Sequence, residues 1–135
     1  MIIRKGGNAV IDLDHGSLVA DLDRLELQLR AGVPRERAVS LLSDFRDLLA
    51  VHFAREEVVL RGTDYPDADS HADRHAAILD TVDRDIAAFA DGHAGPAYEI
   101  LIRLEDRLSE HELVEDSDYL GHLADPARAD ISGWD

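Results

Sequence analysis

The stretch PRERAVSLLSDFRDLLAVHFAREEVVLRG, residues 34–62, decides the fold. Ala38, Leu41, Phe45, Leu48, His52 and Val59 recur in it at spacings of three, four and seven, the period of a helix that turns one face to a core. Pro34 suits a first helical position, because its missing N–H has no intrahelical partner there, and Gly62 suits an end. The same period appears on either side. Upstream, Asp12 to Ala31 aligns His15, Leu18, Leu22, Leu25 and Leu29, and Gly32 follows. Downstream, His71, His75, Ile78, Val82, Ile86 and Phe89 form a third stripe, broken at Asp91 to Gly95. Ala97, Leu101, Leu104, Leu108 and His111 form a fourth after Pro96. No segment alternates as a strand does. Short connections between long helices force neighbours to run antiparallel. The expected fold is therefore all-α, an up-down-up-down antiparallel four-helix bundle. One domain is expected over 1–135, with helices at about 12–31, 34–61, 67–91 and 96–120 and a short polar tail.

Composition narrows the function. The 135 residues hold 29 acidic against 14 basic side chains, a formal net charge of -15. Nucleic acids and anionic membrane surfaces require a basic footprint, so neither is an expected partner. Cysteine is absent, which excludes disulfides, thiolate metal sites and Cys nucleophiles. The N-terminal Met1 to Asn8 has no long apolar region and nothing resembles a membrane span, so a cytoplasmic location without membrane insertion is expected. Seven histidines remain conspicuous. Imidazole and carboxylate are then the strong metal ligands on offer, and they suit iron, zinc, copper or manganese.

Three pairs, His52 with Glu56, His71 with His75, and His111 with Asp116, join a lone His15. Each alone is a weak motif. Their heights in the bundle make them a set. His15 precedes Ala31 by 16 residues and His52 follows Pro34 by 18, so the two are level above one turn. Glu56 lies 6 residues before Gly62, and His71 lies 4 after Asp67; His75 precedes Asp91 by 16, and His111 follows Pro96 by 15. All four helices thus bring polar stripe residues to one layer. Spacing of four returns a side chain to the same helix face, so both four-residue pairs can converge. A single histidine on an apolar stripe is usually a hydrogen-bonded core residue. Five imidazoles and two carboxylates in one layer, with no base on the stripes to pair both acids, call for a cation. The five-residue step from His111 to Asp116 departs from one face, which requires a π-type turn at Glu112 to Glu115 or an inward reach from the last turn; Asp118 is the rival carboxylate.

This ligand set resembles the hemerythrin family, in particular single-domain bacterial members. The likeness runs from Ile11 to Tyr119: Asp12-Leu13-Asp14-His15 with Leu18, His52-Phe53-Ala54-Arg55-Glu56-Glu57, Tyr65-Pro66 before His71 and His75, and Leu108 with His111, Asp116 and Tyr119. The resemblance implies two irons, one held by His71, His75 and His111 and the other by His15 and His52. Glu56, Asp116 and an oxo or hydroxo group would bridge them. The second iron would keep an open position for dioxygen, walled by Leu18, Phe53 and Leu108. Arg107 stands where the family often has tryptophan, and the N-terminal tryptophan common in bacterial members is absent. The function implied is reversible dioxygen binding for carriage, storage or delivery, rather than an enzyme. The alternatives are a di-iron enzyme acting on peroxide, nitric oxide or ferrous iron, with Arg107 the residue to suspect, and an oxygen- or redox-sensing module. His93, His122 and Glu57 are read as solvated.

Overall fold

A computed structural model describes the backbone of residues 9–93 and 95–111, with side chains from residue 16 onward. Four helices follow in order: α1 Ala9–Arg30, α2 Arg35–Gly62, α3 Ala68–Ala90 and α4 Ala97–Glu110. They form the expected four-helix bundle, in which α1 and α3 each pack against both α2 and α4. The expected continuation of the last helix to about residue 120 lies outside the described residues, as do Asp116, Asp118 and His122.

Leucines hold the bundle together. Leu18, Leu22, Leu25 and Leu29 of α1 meet Leu42, Phe45, Leu49 and Phe53 of α2, Val82, Ile86 and Phe89 of α3, and Ile100, Leu101, Leu104 and Leu108 of α4. Each fully buried aliphatic or aromatic side chain is worth about 1.5–3 kcal/mol of transfer free energy. The stripe on α2 differs from the expected one. Leu42 and Leu49 are buried, whereas Leu41 is half-buried and Leu48 is 44% exposed. Both leucines of each Leu-Leu pair satisfy a three-four period, and the 100° between them is settled by α1 and α3, which flank α2.

The helix starts correct one further expectation. Pro34 and Pro96 sit just outside their helices, as N-caps with ψ of 151° and 146°, rather than at the first helical position. Gly62 closes α2 as its last helical residue, as expected. The left-handed residue beyond it is Asp64, at φ 56°. Tyr65 N–H donates to Leu60 O at 3.0 Å and Asp64 N–H to Arg61 O at 3.2 Å, a Schellman closure. Thr63 Oγ1 adds a bond to Val59 O at 3.0 Å. At the end of α3 the same pair of bonds runs from His93 to Ala88 and from Gly92 to Phe89, with Gly92 at φ 83°. Glycine adopts that conformation without a Cβ penalty, whereas Asp64 bears one. Across the α2–α3 seam, Arg46 grips Asp83 through two bonds, Nε to Oδ1 at 2.9 Å and Nη2 to Oδ2 at 3.1 Å.

Candidate metal centre

Two turns from the end of α2, Glu56 points into the bundle and is 5% exposed. His71 and His75, one turn apart on α3, face it and are each 1% exposed, and His111 at the end of α4 completes the group. One ligand atom from each of these four residues lies within 4.8 Å of the others. His71 Nε2 is 2.7 Å from Glu56 Oε1, and His75 Nε2 is 3.1 Å from the same oxygen. His75 Nε2 and His111 Nε2 are 3.0 Å apart.

These separations fit a metal ion. Neighbouring donors around one ion at bond lengths of about 2.1 Å stand roughly 3 Å apart. A proton on an imidazole can serve one such contact at a time, because a neutral ring offers one donor and one acceptor. A dication would satisfy all four donors together. Three imidazoles and a carboxylate suit first-row transition metals.

The surroundings are apolar on one side and acidic on another. Phe53 stacks on His75 with ring centroids 3.8 Å apart and planes 3° from parallel, and meets His111 at 6.0 Å. Leu18 and Leu108 are buried in the adjoining core. Glu57 is not part of a solvated face. Its Oε2 lies 3.5 Å from His75 Nδ1, and its side chain is 25% exposed. The approach is not a hydrogen bond, and His75 Nδ1 has no hydrogen-bond partner among the described residues. Glu57 follows Glu56 in sequence, and only the position of α3 beside α2 brings it near His75.

Of the seven residues read as ligands, the structure brings together Glu56, His71, His75 and His111. His52 is buried on α2, one turn before Glu56. The backbone of His15 belongs to α1, one turn before Leu18. Its side chain, and Asp116 altogether, lie outside the described residues. At His111 the backbone N–H is shared between Arg107 O and Leu108 O. The expected π-type turn at Glu112 to Glu115 is itself outside the described residues. His93 is exposed in the α3–α4 connection, as read from the sequence.

A four-helix bundle with a buried histidine and glutamate cluster between its helices is a metal-binding architecture. The chain matches the hemerythrin family model, described as the hemerythrin HHE cation binding domain, over residues 6–123, and it belongs to that family. No curated protein and no solved structure matches the chain. Among the described residues no helix is long and apolar enough to cross a membrane.

Proposed function

We propose that this bundle binds dioxygen reversibly at a di-iron centre, for carriage, storage or delivery. The observation that carries the reading is the convergence of Glu56 with His71, His75 and His111 in one buried layer. In this reading His71, His75 and His111 would hold one iron and His15 and His52 the other, with Glu56 and Asp116 shared between the two. Iron bound there would supply the electrons that dioxygen takes up and returns on release. The chain's own contribution is to hold neutral imidazoles rather than further carboxylates around the centre, and less anionic charge favours return of the electrons. Phe53, Leu18 and Leu108 exclude water from the layer, which slows irreversible oxidation. Glu57, 3.5 Å from His75 Nδ1, would orient that ring when metal is bound.

A second reading, turnover of peroxide, is favoured by one feature. A cleft of about 230 Å³ between α3 and α4 reaches His111 and is lined by Arg74, Ile78, Thr81, Arg107 and Glu110. Arg107 Nη1 lies 3.6 Å from Asp85 Oδ2 and would place a cation beside a small polar substrate. Anaerobic loading with Fe(II), admission of air and its removal separate the two. Repeated return of the deoxy spectrum supports reversible binding, whereas one-way oxidation or catalytic loss of peroxide overturns it.

A further inference from the structure

α2 carries apolar side chains on a second face. Leu48, Val51 and Val58 are 44%, 48% and 57% exposed, although the bundle buries a different set on this helix. With the half-buried Leu41 they fall at steps of seven, three and seven, the heptad seam of a helix that packs against another helix. Asp44 and Arg55, both exposed, occupy the two remaining seam positions, three after Leu41 and three before Val58.

This seam is complementary to itself when reversed. Leu41 and Val58, Asp44 and Arg55, and Leu48 and Val51 are each placed symmetrically about the point between Leu49 and Ala50. A two-fold axis there would set each residue against its counterpart in a second copy, as an isologous interface requires. Two apolar pairings and one opposite-charge pairing would each occur twice. Charge selects the same helix. The chain as a whole carries a net charge of -15, yet α2 contains five arginines and five acidic residues and is neutral. The sequences of α1 and α3 each carry a net charge of -3, five acids against two arginines, and α4 carries -2, four against two. Self-association through α2 therefore meets the least like-charge repulsion.

We propose that the chain forms a two-fold homodimer through antiparallel packing of the Leu41, Leu48, Val51 and Val58 seam of α2, with Asp44 paired to Arg55 of the second copy. The seam spans 18 residues, about 26 Å of helix, so the interface is small and the dimer weak.

Sedimentation equilibrium of the metal-loaded full chain, from low micromolar to several hundred micromolar, tests this. Wild type should pass from monomer to dimer mass. Val51→Glu should weaken the dimer about tenfold or more. Asp44→Arg and Arg55→Asp should each weaken it by placing like charges together, and the double variant Asp44→Arg/Arg55→Asp should restore it. Unchanged far-UV circular dichroism verifies each fold. A wild type that stays monomeric overturns the dimer, including the case in which another part of the chain covers the seam. A dimer indifferent to Val51→Glu, or a double variant no tighter than the single ones, overturns the α2 seam and its register.

Discussion

Phe53 lies flat on His75 and meets His111 edge to face, so one apolar ring contacts two of the three imidazoles that converge on Glu56. Phe53→Ala removes a buried ring and leaves a cavity, at a cost of about 3–5 kcal/mol. Phe53→Leu retains most of the volume and should cost about 1 kcal/mol in urea unfolding. The leucine variant should nevertheless release metal faster than wild type, because water reaches the ring faces. An unchanged release rate would reduce Phe53 to core packing.

In the proposed centre Glu57, 3.5 Å from His75 Nδ1, would act through that ring. Glu57→Gln should lower metal affinity about tenfold, the lower end of the effect of losing an outer carboxylate, with little change in the stability of the metal-free protein. Competition with a chromophoric chelator measures the first quantity and urea unfolding the second. Equal affinities would show that the 3.5 Å approach to Nδ1 has no part in holding the ring.

Much of this was legible in the sequence, for identifiable reasons. Helix periodicity reported the four helices because a bundle buries one stripe on each. Level heights reported the convergence of Glu56, His71, His75 and His111, because the axial rise per residue is fixed. What periodicity lacks is the direction of the buried arc within a pair of like residues. Periodicity therefore places Leu41 and Leu48 in the core in preference to Leu42 and Leu49, and hides the exposed seam of α2. It leaves Glu57 in solvent for a similar reason, since a residue adjacent to a ligand turns inward only if a neighbouring helix lies on that side.

Asp64 holds a left-handed conformation that glycine adopts more readily. Asp64→Gly should stabilise the protein by about 0.5–1 kcal/mol, since the Schellman bonds at Tyr65 and Asp64 are made by the backbone and survive the change. Thermal unfolding monitored by circular dichroism measures it. A lower melting temperature would indicate that the Asp64 side chain contributes more than its strain costs.

The pKa of Glu105 is raised by partial burial first, and then by the negative charges of Glu26, Asp23 and Asp106. A carboxyl group whose pKa is raised on folding favours the folded state when protonated. Its contribution is complete below its unfolded value and lost as pH rises through the folded value. Glu105→Gln should therefore stabilise slightly at neutral pH, and the gain should vanish toward pH 4. A gain that persists at low pH would assign the effect to packing.

The most direct test of the centre itself is a count of iron per chain after anaerobic loading and removal of loosely held metal, made on wild type and on His15→Ala. The account predicts two irons in wild type. In the variant the iron held by His71, His75 and His111 should be retained, with loss of the second iron and of dioxygen binding. One iron or none in wild type, or two irons with unchanged dioxygen binding in His15→Ala, would contradict it.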